Sequence, residues 1–192
     1  MVKLSILICT INGREEIFNK LYESIQAQLT EDKRNLVEII SLCDNKEITI
    51  GAKRNKLLTM ARGEYVAFVD DDDTVSDDYV SKILDAIDNG EEPNPDCIGM
   101  EGIILWEGSN RLFCHSINFQ GWYTGPDAVF YRTPNHLNPV KRRIALQVRF
   151  KNISGGEDQD YSKRLRNFLR TENYIEDPIY FYVPSTWKEV NK

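Results

Sequence analysis

The sequence predicts an α/β fold with a mostly parallel central sheet. Apolar strand-like runs alternate with amphipathic helical segments three times within about ninety residues. Such alternation implies parallel strands joined by right-handed crossovers. Each predicted strand is followed by polar residues, and ligands of parallel sheets bind at the carboxyl ends of the strands. With 192 residues, the chain is long enough for one domain with a substantial core.

The first half carries the clearest pattern. Apolar residues recur four apart at Ile17, Leu21, Ile25 and Leu29, which predicts a helix over 14–29. A second helix is predicted to end at Gly63 as its cap. A third helix presents Val80, Ile83, Leu84 and Ile87 on one face and stops at Asn89. The predicted elements are strand 3–9, helix 14–29, strand 36–42, helix 51–62, strand 64–69 and this third helix.

The second half departs from this alternation after Pro95. Strands are predicted over 97–106 and 111–119 with a turn at 108–110, and a short strand over 128–131. A helix over 158–170 places Tyr161, Leu165 and Phe168 in phase, and a strand over 178–183 closes the chain. We interpret this half as an elaboration of the same domain.

Composition excludes several classes of protein. The net charge of −6 disfavours direct nucleic-acid binding through a basic face. No apolar run has the length of a transmembrane helix, and the first residues fit a strand better than a signal peptide. The four cysteines lack metal or redox spacing, and three of them (Cys9, Cys43 and Cys97) are predicted to be buried thiols. A cytoplasmic location is therefore expected.

Four consecutive aspartates follow the third strand, from Asp70 to Asp73. Adjacent carboxylates at a strand end repel one another and require a compensating cation. Their hard oxygen atoms suit Mg²⁺ or Mn²⁺. The alternative is a solvated acidic turn before the next helix. We favour the metal site, because the run lies at the binding edge of a parallel sheet, with Asp71 expected to point outward.

Three further groups are candidates for chemistry. Gly155-Gly156 precede Glu157-Asp158, whose carboxylates either supply a general base or cap a helix. Lys53 and Arg54 either neutralise a diphosphate or lie on a solvated helix face, and for Lys53 the solvated face is at least as well supported. His136 lies between two prolines and is interpreted as a loop residue, with acceptor contact as the second choice.

The ordered motifs resemble those of family 2 glycosyltransferases with the GT-A fold. The residues that carry the resemblance are 5–12, 38–44, Lys53-Arg54-Asn55, 61–73 and Gly155-Gly156-Glu157-Asp158. They cover most of the chain in the family's order. The resemblance implies one Rossmann-like nucleotide-sugar-binding domain over 1–192. Residues 1–92 would form the donor half, and 93–192 an acceptor-side half of strands and loops with the catalytic base.

The resemblance also implies roles for individual residues. Thr10, Asn12 and Asp44 would border the nucleoside of a nucleotide-sugar donor, with UDP favoured. Arg54 would lie near the diphosphate or brace the metal loop. Asp158 would be the catalytic base, with Glu157 as the alternate. The metal ligands would be Asp70, Asp72 and Asp73, with Asp72 in direct contact with Mn²⁺ or Mg²⁺.

The family's mechanism is mainly inverting, so a metal-dependent, inverting transfer of one sugar is expected. No Gln-x-x-Arg-Trp motif follows, which favours a single-sugar transferase over a processive synthase. The acceptor would be a glycan, a lipid-linked sugar or another hydroxyl compound. Two alternatives stay open: a sugar nucleotidyltransferase, which usually carries a Gly-rich basic loop after the first strand, and a catalytically idle nucleotide-sugar-binding module.

Overall fold

The computed structural model describes residues 1–182. Its first half follows the predicted order of strands and helices. The elements are β1 (Leu4–Ile11), α1 (Glu15–Gln26), β2 (Val37–Asp44), α2 (Ile50–Met60), β3 (Tyr65–Phe68), β4 (Thr74–Val75) and α3 (Tyr79–Asp88). Strands β2, β1 and β3 are parallel neighbours, with β1 in the middle. The predicted parallel arrangement of these three strands is confirmed.

Side chains of β1 alternate between two helical layers. Leu4, Ile6 and Ile8 belong to the core cluster that includes residues of α1 and α3, whereas Leu7 and Cys9 belong to the cluster that includes residues of α2. This alternation is the two-residue period of a strand. Because both faces of β1 are covered, the strand is a continuous apolar run in the sequence.

The second half contains more elements than its sequence predicts. They are β5 (Cys97–Trp106), β6 (Ser109–His115), β7 (Tyr123–Thr124), β8 (Phe130–Arg132), β9 (Val140–Lys141), α4 (Arg142–Val148), α5 (Glu157–Leu165) and β10 (Glu172–Tyr182). The hairpin of β5 and β6 is confirmed, with Glu107 and Gly108 in the left-handed region at its turn. The closing strand, predicted over 178–183, corresponds to β10 and begins at Glu172. The last residue of the predicted range, Val183, lies outside the described residues.

The central sheet is mixed, with the order β2-β1-β3-β9-β5-β6-β8-β7. Strand β10 pairs in parallel with β5 and antiparallel with β4. Antiparallel pairs between β3 and β9 and between β5 and β6 make the sheet more mixed than the sequence predicts. The α/β class is nevertheless confirmed.

The segment that leads into β9 runs along β3 and determines what surrounds the end of that strand. Val66 of β3 is paired with Val140 of β9. Further along, the backbone N–H of Phe68 donates a 2.9 Å hydrogen bond to the carbonyl oxygen of His136. The backbone of His136 is therefore fixed beside the start of the aspartate run.

Some local predictions are wrong. Helix α2 ends at Met60 with Ala61 as its cap, so Gly63 does not cap it. Gly63 is instead required by close approach to β1, because a Cβ there would lie 2.6 Å from the backbone nitrogen of Ser5. Cys43 is exposed rather than buried. Phe168 lies beyond α5 and is 39% exposed.

Within residues 1–182, no helix combines the length and the apolarity that a lipid bilayer requires of a spanning segment.

Candidate active site

Asp70 is held between a cation and an imidazole at the end of β3. Its Oδ1 accepts a 3.1 Å hydrogen bond from Arg54, and Nε2 of His136 lies 3.3 Å from its Oδ2. Burial by itself raises the pKa of Asp70. The nearby His136 and Arg54 lower it by a larger amount, so the pKa lies well below its usual range. Asp70 is therefore a carboxylate, and His136 is part of the site rather than a plain loop residue.

Asp71 points into the protein, so the expectation that it faces outward is wrong. The side-chain hydroxyl of Thr10 donates a 2.7 Å hydrogen bond to Asp71, and Arg14 donates another of 2.7 Å. Only 4% of Asp71 is exposed. The same nitrogen of Arg14 lies 3.5 Å from the carboxylate of Asp72. The aspartate loop is thus tied to the carboxyl end of β1 and to the residue before α1.

Asp73 faces the core on the far side of the loop. It is 2% exposed and accepts a 2.8 Å hydrogen bond from the phenol of Tyr180 in β10. The same phenol oxygen accepts a 3.1 Å hydrogen bond from the backbone N–H of Asp70. Burial holds the pKa of Tyr180 well above its usual value, so the phenol keeps its proton. Tyr180 therefore fixes both ends of the aspartate run.

In the part of the chain that the structure describes, no three His, Cys, Asp or Glu side chains are placed to hold a metal by themselves. Asp70 and Asp72 nevertheless line the same cavity, with hard oxygen donors at its wall. A divalent cation that keeps several non-protein ligands needs only one or two carboxylates. The residues present therefore fit a loosely held Mn²⁺ or Mg²⁺.

Arg54 connects the aspartate loop to the start of α5. Its guanidinium donates to Asp70 and, at 2.7 Å, to Oε1 of Glu157. Arg54 is only 3% exposed and lies 5.8 and 5.4 Å from the ring centroids of Phe68 and Phe150. Two carboxylates and two aromatic faces compensate its buried charge. The alternative of a solvated helix face is therefore excluded for Arg54.

The two glycines before α5 direct its first two carboxylates differently. Gly155 and Gly156 have φ values of 95° and 76°, a conformation that favours glycine. Glu157 is 6% exposed, and its Oε2 accepts a 2.8 Å hydrogen bond from the backbone N–H of Gly155. Asp158 is half-buried and lines an open cavity. Glu157 is thus fixed by Arg54, while Asp158 faces the space that a substrate can enter.

Lys53 is buried, so its predicted position on a solvated helix face is wrong. Its ammonium donates a 2.6 Å hydrogen bond to the carbonyl oxygen of Thr10 and pairs with Asp44. The hydrogen bond from Lys53 lowers the pKa of Asp44. Asn12 is exposed beside these groups and accepts a 3.2 Å hydrogen bond from the thiol of Cys43. Thr10, Asn12 and Asp44 therefore lie close together at the ends of β1 and β2, as predicted.

Two cavities adjoin at the aspartate loop. The first, which we call the Thr10 cavity, has a volume of about 300 Å³, and its polar lining includes Thr10, Arg14, Lys53 and Asp72. The second, which we call the Asp158 cavity, has a volume of about 370 Å³ and is lined by Asp158 with several aromatic residues. Arg54 and Asp70 line both cavities. A ligand that extends from one to the other would pass these two side chains.

Several site residues carry no local signal in the sequence. Arg14 contacts Asp71 only because the turn after β1 folds back over the aspartate loop. His136 reaches Asp70 through the pairing of its segment with β3. Trp122 and Arg132 line the Asp158 cavity from a region predicted as a loop and a short strand. These contacts depend on long-range pairing, which sequence periodicity does not report.

The chain is similar to known glycosyltransferases. A family model described as "Glycosyl transferase family 2" matches residues 42–135. The glucosyl-dolichyl phosphate glucuronosyltransferase of Haloferax volcanii is 25% identical over 173 residues, covering 78% of this chain and 53% of the relative. The putative glycosyltransferase EpsH of Bacillus subtilis is 26% identical over 146 residues, covering 69% of this chain and 41% of the relative. The chain thus spans about half the length of these curated relatives.

Solved structures share the architecture. TarS from S. aureus, residues 1–349 in complex with UDP-GlcNAc, has a TM-score of 0.67 at 18% identity, covering 95% of this chain and 59% of that one. The mannosyltransferase PcManGT from Pyrobaculum calidifontis, in complex with GDP-Man and Mn²⁺, has a TM-score of 0.58 at 11% identity. It covers 95% of this chain and 57% of the mannosyltransferase chain. At these identities the likeness establishes the fold, which agrees with the α/β arrangement described above.

Proposed function

Since this chain is a family 2 glycosyltransferase with the GT-A fold, we propose that it moves one sugar from a nucleotide-sugar donor to an acceptor hydroxyl. The observation that carries the proposal is the adjacency of the two cavities at Asp70 and Arg54. One cavity offers cationic and carboxylate groups to a diphosphate. The other offers a half-buried carboxylate, Asp158, to an acceptor.

The donor would bind with its nucleotide in the Thr10 cavity. Thr10, Asn12 and Asp44 would border the nucleoside, since they lie together at the ends of β1 and β2. Lys53 and Arg54 would oppose the negative charge of the diphosphate. UDP is the favoured nucleotide, supported by the UDP-GlcNAc complex of TarS, while the PcManGT complex contains GDP-Man.

A divalent cation, Mn²⁺ or Mg²⁺, would be held by Asp70 and Asp72. Asp73 would support them by keeping the loop in place through Tyr180. When bound, such a cation supplies Lewis-acid stabilisation of the departing diphosphate. A Mn²⁺ complex of the structural neighbour PcManGT supports this part of the proposal.

Asp158 would act as the catalytic base, with Glu157 as the alternate. Asp158 would accept the proton of the acceptor hydroxyl while that oxygen attacks the anomeric carbon and the bond to the diphosphate breaks. An in-line attack of this kind inverts the anomeric configuration. Glu157 is less suited to this step because Arg54 and Gly155 already occupy its two oxygens.

The acceptor would enter the Asp158 cavity, whose lining comes mainly from the second half of the chain. Residues 1–92 would then form the donor half and 93–192 the acceptor-side half. A glycan or a lipid-linked sugar is the proposed acceptor. The dolichyl phosphate in the name of the Haloferax relative supports the lipid-linked class. We also propose a cytoplasmic location, because free cysteines such as those of this chain stay reduced in that compartment.

Two measurements test the proposal. Thermal unfolding would be followed with UDP-sugars, GDP-mannose and dTDP-glucose, each with and without Mn²⁺, because a ligand of the native state raises the unfolding temperature. We expect stabilisation that needs both donor and metal. No response to any donor would contradict the proposed function.

The second measurement replaces the base. Asp158→Asn should lower sugar transfer or donor hydrolysis by at least about a hundredfold, the usual contribution of a general base, without weakening donor binding. Asp85→Asn, on the exposed face of α3, is the matched control and should keep wild-type activity. Wild-type turnover in Asp158→Asn would refute the base assignment. Donor binding without turnover in the wild-type protein would identify an idle binding module.

A further inference from the structure

Arg132 differs from the other arginines of the two cavities. It lies in the wall of the Asp158 cavity, at the end of β8. Arg14 and Arg54 each form ion pairs with carboxylates at 3.1 Å or less. Among residues 1–182, by contrast, no carboxylate lies within ion-pair distance of the Arg132 guanidinium, and its side chain makes no hydrogen bond there. A half-buried cation therefore faces the cavity with its donors available to a ligand.

The Arg132 guanidinium is nonetheless held in place by aromatic rings. Its central carbon lies 4.7 Å from the ring centroid of Trp122 and 5.7 Å from that of Phe130. Trp122 is anchored in turn, because its indole N–H donates a 3.1 Å hydrogen bond to Ser162 of α5. Ser162 is fully buried and bonded to the carbonyl oxygen of Pro134 at 2.9 Å. Arg132 is thus connected through Trp122 and Ser162 to α5, the helix that carries Asp158.

The surroundings of Arg132 compensate its charge only in part. Burial lowers the pKa of Arg132, while Tyr182 and, to a smaller extent, Asp158 oppose that effect. Aromatic faces stabilise a cation, but they offset only part of the cost of removing a charge from water. The planar guanidinium also offers paired N–H donors that match the oxygens of a carboxylate or a phosphate.

We propose that Arg132 binds an oxyanion, a carboxylate or a phosphate, on the substrate that occupies the Asp158 cavity. This inference rests on the proposed sugar transfer and narrows its substrate class. The oxyanion has two possible sources, the carboxylate of a uronic-acid donor sugar or a phosphate group of the acceptor. In both cases Trp122 positions the guanidinium, and Arg132 selects a charged substrate over a neutral one.

The test measures dissociation constants by calorimetry in the presence of Mn²⁺ for three probes. UDP-glucose is the neutral donor, UDP-glucuronate carries the donor carboxylate, and glucose 1-phosphate is added to the UDP complex as the phosphate-bearing acceptor mimic. The proteins are the wild type, Arg132→Gln, Arg132→Lys and the matched control Arg111→Gln. Arg111 lies on the neighbouring β6, outside the lining of the cavity, and pairs with Glu107. Thermal unfolding of each variant verifies that it is folded.

We expect UDP-glucose to bind the wild type and Arg132→Gln equally. At least one oxyanion probe should bind Arg132→Gln about tenfold or more weakly, as expected for a lost hydrogen bond to a charged group. Arg132→Lys should lose less, and Arg111→Gln should lose nothing. Weakening of UDP-glucuronate alone identifies the donor carboxylate, and weakening of glucose 1-phosphate identifies the acceptor phosphate.

The inference is overturned if UDP-glucose binds but neither oxyanion probe distinguishes Arg132→Gln from the wild type. It is also overturned if Arg132→Gln weakens UDP-glucose as much as the charged probes, because Arg132 would then contact the shared part of the donor. Failure of UDP-glucose and UDP-glucuronate to bind the wild-type protein is a different result. It refutes the UDP donor, and it refutes the proposed function itself if GDP-mannose and dTDP-glucose also fail to bind.

Discussion

The guanidinium of Arg54 donates a 2.7 Å hydrogen bond to the carboxylate of Glu157, although 103 positions separate the two residues in the chain. Arg54 also bonds Asp70, so one buried cation joins the aspartate loop to the helix that carries Asp158. Arg54 therefore links the aspartate loop directly to the first turn of α5.

Replacing Arg54 by methionine should destabilise the protein by about 3–5 kcal/mol, because two largely buried carboxylates would lose their cation. The measurement is the free energy of unfolding from urea titrations at neutral pH. Arg62→Met is the matched control. Arg62 also pairs with a carboxylate, that of Glu38, but its side chain is 76% exposed, so the expected loss is below about 1 kcal/mol. Equal losses in the two variants would contradict the central role of Arg54.

Replacing Asp72 by asparagine should abolish the part of donor stabilisation that depends on Mn²⁺. The side chain of Asp72 is 18% exposed at the Thr10 cavity, and its replacement leaves the bonds of Asp71 to Thr10 and Arg14 in place. Calorimetric titration of Mn²⁺ into the UDP complex measures the loss directly. Asp77→Asn, an exposed aspartate in the same segment, should bind Mn²⁺ as the wild type does. Unchanged Mn²⁺ affinity in Asp72→Asn would remove Asp72 from the proposed ligands.

Replacing Tyr180 by phenylalanine should cost about 1–3 kcal/mol, since the buried carboxylate of Asp73 would lose the phenol that donates to it. Urea unfolding measures this loss. Tyr22→Phe is the control, because Tyr22 lies on the outer face of α1, where its hydroxyl bonds only Gln26 among the described residues. A similar small effect of both substitutions would show that Tyr180 does not fix the aspartate loop.

The stability of the protein should fall in mild acid because of His115. Burial, with a contribution from Arg132, lowers the pKa of His115 from 6.5 to about 3. Between these two values the unfolded chain binds a proton that the folded chain does not. The free energy of unfolding therefore falls as the pH decreases, by about 1.4 kcal/mol per pH unit from this group.

The check is a comparison of the wild type with His115→Gln by urea unfolding at pH 7.5, 6 and 5. The carboxylates of the protein titrate in both variants. The difference between the two slopes of unfolding free energy against pH therefore reports His115. The neutral ring of His115 bonds Asn138 at 2.9 Å, which glutamine also allows, so the variant is expected to fold. Parallel slopes would mean that His115 is protonated equally in the folded and unfolded chains.

The first half of the fold was predictable because its elements are long and local. Strand β1 is a continuous apolar run, and helix α3 has a clear helical period. The polar residues after each strand follow from the geometry of parallel sheets. This reasoning placed Thr10, Asp44 and Asp70 at one edge, where they lie.

The second half was less predictable for physical reasons. Strands β4, β7 and β9 contain two residues each, too few for a period to be recognised. Strand β10 contains Pro178 at an irregularity in its pairing with β5, and a proline suggests a strand boundary rather than an interior. The inward direction of Asp71 and the approach of His136 depend on partners more than fifty positions away.

The pairing of β9 with β3 limits how this protein can be divided or recombined. A fragment ending at residue 92 would leave β3, with Val66 and Phe68, as a bare edge that invites aggregation. Chimeras that exchange the segment after residue 92 with a relative would therefore need to carry the strip 133–141 together with the β3 that it covers. The segments before and after residue 92 are therefore expected to fold, and to be inherited, as one cooperative unit.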